Sequence, residues 1–190
     1  RQIPAILNAL KYATGSIVII GDADSLWEND AVKKTVKYFA DPSVAVLTSS
    51  LKYYGKKPNT EGIYRRFYNV IRIAESKIHS TPIHSGVLQA IRKDFIDRYG
   101  FPYYHGSEDC SIASYAAFAG YRAIQADDVW AYEPLRGSYV RTKIRRAQHN
   151  ILNFVKTKKY AKKKGVYVRS KFDNIWHVEQ YLYLINPWLL

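Results

Sequence analysis

The stretch "IVIIGDADSLW", residues 17–27, sets the expected fold of this chain. It opens with an unbroken apolar, β-branched run, which is typical of a strand covered on both faces, as in a parallel sheet. A glycine ends the run, and Asp22 and Asp24 follow with one small residue between them. Because ligands collect beyond the carboxyl ends of strands in open α/β sheets, the turn after this strand is a candidate site.

The segments on either side of this stretch indicate an α/β chain. Apolar spacing predicts a β–α–β unit with a right-handed crossover at its start. A later helix carries Phe67, Ile71 and Ala74 along one stripe, and the clearest helix begins after Ser107 and ends at Gly120. The predicted helices cover residues 1–14, 29–40, 62–79, 107–120 and 139–159, and the predicted strands 16–20, 44–48 and 121–126.

Composition restricts the class of protein. The 190 residues are 47% hydrophobic and carry a formal net charge of +13, which favours a folded domain with an anionic partner. The single cysteine, Cys110, excludes an internal disulfide and favours a reducing compartment. The sequence contains no methionine, so we expect a processed product or a piece of a longer chain.

The pair Asp22 and Asp24 is a candidate metal site. Two carboxylates this close repel each other unless a cation lies between them. Their hard oxygens suit Mg²⁺ or Mn²⁺, either of which can bridge to the phosphates of a nucleotide. The alternative is a turn or helix cap, because the same residues are good turn formers.

A second acidic pair and a basic helix are further candidates. Glu108 and Asp109 open a helix whose dipole favours the ionised carboxylate that a general base requires, although simple charge complementarity at a helix start explains the pair equally well. Arg145, Arg146 and Gln148 could neutralise a diphosphate leaving group. A solvated basic face is the alternative for that helix.

The order of these segments resembles the inverting family 2 glycosyltransferases of the GT-A fold. The resemblance runs from about residue 4 to 155 and rests on "LNALKYATGSIVIIGDADSLWENDAV", "HSGVLQAIRKDFI", "GSEDCSIASYAAFAGYRAI" and "IRRAQHN". It implies an α/β, GT-A-like, mostly parallel sheet flanked by helices. It also implies metal-dependent, inverting transfer of a sugar from a nucleotide-sugar donor to an acceptor hydroxyl.

The resemblance also implies roles for the acidic residues. Asp22 and Asp24 match the metal and nucleotide motif, with Asp24 as the expected direct ligand. Asp109 matches the catalytic base, and Glu108 is its neighbour in the acceptor site. This assignment requires Asp24 and Asp109 to face a single cleft.

The chain departs from the family pattern in two places. Arg145, Arg146 and Gln148 fall where processive members hold the diphosphate with a Gln-x-x-Arg-Trp motif, but Ala147 follows Arg146 and no tryptophan is present there, which favours transfer of single sugars. We also expect the chain to lack the family's N-terminal βαβ nucleotide-binding half, and therefore to bind nucleotide poorly by itself.

The resemblance divides the chain into a partial catalytic domain, residues 1–155, and a basic, aromatic, membrane-interfacial stretch, residues 156–190. Its implied partners are a nucleotide sugar, a saccharide or polyprenyl-phosphate acceptor and the cytoplasmic face of a membrane, with no nucleic acid. Two alternatives stay open. One is a non-catalytic basic module that binds nucleic acid or an anionic membrane, and the other is a degenerate transferase retained for partner contacts.

Overall fold

A computed structural model describes residues 2–54, 60–102, 107–134 and 139–188. Helices and strands alternate along most of the chain, and two helices end it. The elements are α1 (Gln2–Leu10), β1 (Ile17–Ile20), β2 (Leu26–Trp27), α2 (Ala31–Tyr38), β3 (Val44–Tyr54), α3 (Thr60–Ile78), β4 (Gln89–Arg92), α4 (Lys93–Tyr99), α5 (Glu108–Phe118), β5 (Arg122–Pro134), α6 (Tyr139–Lys163), α7 (Phe172–Leu184) and a 3₁₀ turn (Asn186–Trp188).

The strands form a mixed sheet in the order β1-β4-β3-β5-β2. β3 and β5 pair in parallel, whereas β4 is antiparallel to both of its neighbours and β2 is antiparallel to β5. The predicted α/β architecture with flanking helices is confirmed, but the sheet is mixed and not mostly parallel. β4 comes late in the chain but lies between β1 and β3 in the sheet. An apolar run in the sequence does not predict this arrangement, because parallel and antiparallel strands both bury apolar residues.

β1 is an outer strand of this sheet. Its four residues are half-buried, with Ile17 and Ile19 packed against one hydrophobic cluster and Ile20 against the other, so both faces of this strand are covered in part. Ile20 at its end lies opposite Gln89 at the start of β4. The chain that follows Ile20 therefore begins beside the segment that leads into β4, and this pairing positions the acidic turn.

α5 is the central helix of the core. Every residue from Cys110 to Phe118 is buried. Phe172 and Trp176 of α7 pack against this region, with ring centroids 5.0 Å from Phe118 and 4.7 Å from Phe154 respectively. Side chains from the predicted C-terminal stretch thus share the core of the preceding residues.

α3 turns a polar face toward the sheet. Asn69 donates a hydrogen bond from Nδ2 to the carbonyl of Leu51 at 2.9 Å, and the Ser76 hydroxyl accepts one from the Gln125 amide at 2.8 Å. The apolar stripe that includes Phe67 faces outward, and Phe67 is 61% exposed. Among the described residues, no helix combines the length and apolarity needed to cross a bilayer.

Candidate active site

The turn after β1 is held against the segment that precedes β4. The Ser25 hydroxyl donates to the carbonyl of Asp22 at 2.7 Å, which closes the turn. The indole Nε1 of Trp27 donates to the carbonyl of Val87 at 2.9 Å. These bonds fix the backbone that carries Asp22. Together with Leu26, the turn lines an open depression of about 410 Å³.

Gly21 and Gly86 allow the close approach of these segments. A Cβ atom at Gly21 would collide with the Trp27 indole ring, so only glycine fits beneath that ring. A Cβ atom at Gly86 would lie 3.7 Å from Oδ2 of Asp109 and 4.0 Å from Oδ1 of Asp22. Both carboxylates therefore approach the same point above Gly86, and the two acidic segments converge on one cleft.

Asp109 is oriented by its own helix start. Its Oδ1 accepts hydrogen bonds from the Ser107 hydroxyl and, at 2.8 Å, from the Cys110 amide. Gln89 donates from Nε2 to the Asp109 carbonyl at 2.9 Å, which ties α5 to the strand beside β1. With Oδ1 held in this way, Oδ2 is the oxygen that faces Gly86.

Glu108 lies half-buried beside this pair. Burial raises the pKa of its carboxyl group, and the negative charges of Asp109 and Asp22 raise it further. Burial is the main cause because it disfavours the charged form, and a third anion in this space would also meet two like charges. Glu108 therefore lies close enough to Asp22 and Asp109 for their negative charges to act on its carboxyl group.

Glu133, at the end of β5, forms another acidic part of the site that sequence reasoning missed. Its Oε2 lies 3.7 Å from Nη2 of Arg146 on α6. Burial raises the pKa of Glu133, the positive charges of Arg146 and Arg65 oppose this rise, and Asp22 adds to it. Its position at the carboxyl end of a strand, where ligands bind in open α/β sheets, is the sequence feature that could have indicated Glu133.

The structure places the remaining predicted residues farther outward. Asp24 is exposed in the turn, and an oxygen of Asp22 lies beside Gly86 together with one of Asp109. Arg145 and Gln148 are exposed on α6.

The donor set fits a divalent cation that arrives with its own oxygen ligands. The described part of the chain holds no group of three or more His, Cys, Asp or Glu side chains arranged to hold a metal. Mg²⁺ and similar hard ions, however, bind through one or two carboxylates together with water and substrate phosphates. Asp22 and Asp24, two residues apart, can supply these one or two carboxylates.

Three comparisons with known proteins bear on this site. The family model described as glycosyl transferase family 2 matches residues 1–100. The structure is similar to a mannosyltransferase from Pyrobaculum calidifontis solved in complex with GDP-Man and Mn²⁺, with a TM-score of 0.78 and 40% sequence identity. That match covers 97% of this chain and 50% of the mannosyltransferase, so the chain spans half the length of that protein.

A more distant structural match is residues 1–349 of TarS from S. aureus in complex with UDP-GlcNAc. It is 14% identical over 78% of this chain and 44% of that chain, with a TM-score of 0.48, and it carries no argument about activity. No curated protein matches the sequence significantly.

Proposed function

The chain belongs to glycosyl transferase family 2, and we propose that it performs metal-dependent, inverting transfer from a nucleotide-sugar donor to an acceptor hydroxyl. The observation that carries this proposal is the approach of Asp22 and Asp109 to one point above Gly86. A cation site and a base on opposite sides of a small gap leave room between them for the donor's anomeric carbon and the acceptor hydroxyl.

We assign Asp22 and Asp24 to the cation, which is Mg²⁺ or Mn²⁺. When bound, the ion neutralises charge on the donor diphosphate as the bond to the sugar breaks. The Mn²⁺ and GDP-Man bound by the similar mannosyltransferase support this assignment and favour GDP-mannose as the donor. The bonds of Ser25 and Trp27 to neighbouring carbonyls hold the turn in place before donor binds.

Asp109 is the proposed base. Its Oδ1 is occupied by two hydrogen bonds at the start of α5, and its Oδ2 faces the cleft, where it can accept the proton of the acceptor hydroxyl. The helix dipole at this end favours the carboxylate form. Glu108, whose pKa is raised, can donate a hydrogen bond to the acceptor while it is protonated.

The basic residues of α6 are the proposed diphosphate contacts. Arg146 lies nearest the acidic groups. The carboxylate of its partner Glu133 lies beside the guanidinium, at a position where the diphosphate of the donor could bind instead. Arg145 and Gln148 can join the contact by side-chain rotation or by a shift of α6. We propose single-sugar transfer, because the tryptophan of the processive motif is absent after Arg146.

The acceptor is proposed to be a saccharide or a polyprenyl phosphate, used at the cytoplasmic face of a membrane. The high positive charge of the chain supports an anionic acceptor or an anionic surface. Residues 1–155 are the proposed catalytic part, and residues 156–190 provide the aromatic helix that packs on it.

Replacing Asp109 by Asn tests the base in the intact protein. The amide keeps the shape of the side chain and an oxygen for the Ser107 and Cys110 bonds, but it cannot take up a proton. We expect kcat/KM for GDP-mannose to fall about 10²–10⁴-fold. Donor affinity, measured by calorimetry with Mn²⁺, should change less than about twofold.

Asp97→Asn is the matched control, because Asp97 forms an exposed ion pair with Lys93 on α4. It should leave both quantities unchanged. Wild-type activity in Asp109→Asn would refute the assignment of the base. Donor binding by the wild type with no transfer to either acceptor class would favour the degenerate transferase instead.

A further inference from the structure

Three neighbouring helices turn apolar side chains outward. On α3 these residues are Ile63, Phe67, Val70 and Ile78, each more than 60% exposed. Their spacing of four, three and eight residues places them on one line along the helix. Exposed apolar side chains grouped along one line of a helix are typical of an interaction site.

α6 repeats the same spacing. Val140, Ile144, Ile151 and Val155 are exposed at offsets of four, seven and four residues, and Val140 is 71% exposed. The alanines that complete the two stripes, Ala74 and Ala147, are also exposed. On α7 the outward apolar residues are Val178, Tyr181 and Leu182, and Ile185 follows directly after the helix.

α7 lies between the other two helices. Its Tyr183 ring stacks on Phe154 of α6 with centroids 5.3 Å apart. Its Glu179 lies close enough to Glu75 of α3 for its negative charge to raise the pKa of Glu75. The outward residues of the three helices therefore belong to neighbouring elements, and we call them the three-helix face. Its members are Ile63, Phe67, Val70, Ile78, Val140, Ile144, Ile151, Val155, Val178, Tyr181, Leu182 and Ile185.

Basic residues border this face. Arg66 and Lys77 are exposed beside the stripe of α3, and Arg141 and Arg145 are exposed beside that of α6. The sequence of α6 contains no Asp or Glu. Two copies of the chain meeting through this face would bring these cations together, which disfavours a symmetric dimer.

We propose that the three-helix face docks on an anionic lipid bilayer. Helices with an apolar stripe bordered by Lys and Arg lie in the membrane interface, and basic residues near an anionic surface add electrostatic attraction. Arg65 of α3 and Arg146 of α6 both act on Glu133, so two of the docking helices border the candidate active site. The inference rests on the proposed function only in placing the reaction at a membrane.

Vesicle flotation with the purified chain tests this docking. Binding should be weak to phosphatidylcholine vesicles and strong to vesicles with roughly 30% phosphatidylserine, and it should fall as salt increases. The double variants Phe67→Gln/Val70→Gln and Val178→Gln/Leu182→Gln should each lower partitioning about tenfold or more, because each removes two apolar side chains from the interface.

The matched control is Val32→Gln/Val36→Gln. These valines are also exposed, at 47% and 46%, but they lie on α2, outside the face. The control should bind vesicles like the wild type, and circular dichroism should show all variants folded. Binding that no variant weakens, or that the control weakens equally, would overturn the proposal.

The proposal would be overturned if the chain did not bind vesicles and instead formed a dimer in solution that the α3 variant dissociates. The three-helix face would then bind a second copy of the chain. Donor binding measured without lipid separates the two proposals. Loss of vesicle binding in the α3 variant with intact donor affinity supports the docking face, whereas a wild type that binds vesicles but no donor contradicts only the proposed function.

Discussion

Gly86 is the residue at which the two acidic segments meet. Its backbone does not adopt the positive φ found at Gly100, Gly120 and Gly165, so alanine is sterically allowed there. A methyl group would lie at ordinary contact distance, 3.7 Å, from Oδ2 of Asp109. The fold itself therefore tolerates a methyl group at this position.

Gly86→Ala should therefore separate activity from stability. We expect the midpoint of thermal unfolding to stay within about 2 °C of the wild type, since no neighbour has to move. kcat/KM should fall about tenfold or more, because the methyl group intrudes between the base and the cation site. Gly15→Ala, in an exposed position, is the control, and full activity in Gly86→Ala would show that substrate does not pass over this residue.

The proposed site residues differ in how far local sequence signals indicate them. Asp22 follows a strand and Asp109 opens a helix, and such local signals suffice to find them. Which of Asp22 and Asp24 turns inward depends on the Ser25 and Trp27 bonds to a segment about 60 residues away. Glu133 joins the site through Arg146, a contact between two distant elements that no local pattern encodes.

At the scale of elements, α3 and α7 meet through a buried carboxyl pair. Burial, reinforced by the negative charge of Glu179, raises the pKa of Glu75 from 4.5 to about 8. Arg72 and Thr81 oppose this rise but do not cancel it. The folded state therefore holds a proton that the unfolded chain releases at much lower pH, so stability decreases as the pH rises from about 4.5 to about 8.

Glu75→Gln should remove this pH dependence. Glutamine keeps the shape of the side chain, carries no charge, and can donate a hydrogen bond to Glu179. Thermal unfolding of the wild type should show a lower midpoint at pH 8.5 than at pH 6, and the variant should raise the midpoint at pH 8.5 by about 4 °C or more. Asp30→Asn on the exposed end of α2 should not, and an unchanged wild-type midpoint across this range would contradict the shared proton.

The apolar stripe of α3 shows the limit of periodicity at this scale. Helical spacing identifies the stripe with Phe67 correctly, but the stripe faces outward because Asn69 and Ser76 bond to the sheet from the opposite face. An apolar stripe is normally the buried side of a helix. Only the positions of the hydrogen-bonding partners on β3 and β5 decide the orientation.

At the scale of the whole molecule, the class of fold was predictable and the sheet order was not. Alternating helices and strands indicate an α/β chain, as found. The insertion of β4 between β1 and β3 joins segments about 70 residues apart, and such pairing is set by global packing and not by local preference. The same insertion brings Gly86 beside Asp22, so the active-site geometry depends on the part of the fold least visible in the sequence.

Ligand-linked stability tests the assembled site as a unit. A ligand that binds only the folded state at 100 times its dissociation constant stabilises a protein by about 2.7 kcal/mol, which for this size is about 5–10 °C in the unfolding midpoint. GDP-mannose with Mn²⁺, added at 100 times its measured dissociation constant, should produce such a shift even where that constant is high, as expected for this chain, and a chelator should reverse it. Asp22→Asn and Asp24→Asn should each remove at least about half of the shift, because each deletes a charge from the proposed cation site. Asp97→Asn should keep all of it, and a full shift in Asp22→Asn would mean that the cation does not bind where the two acidic segments converge.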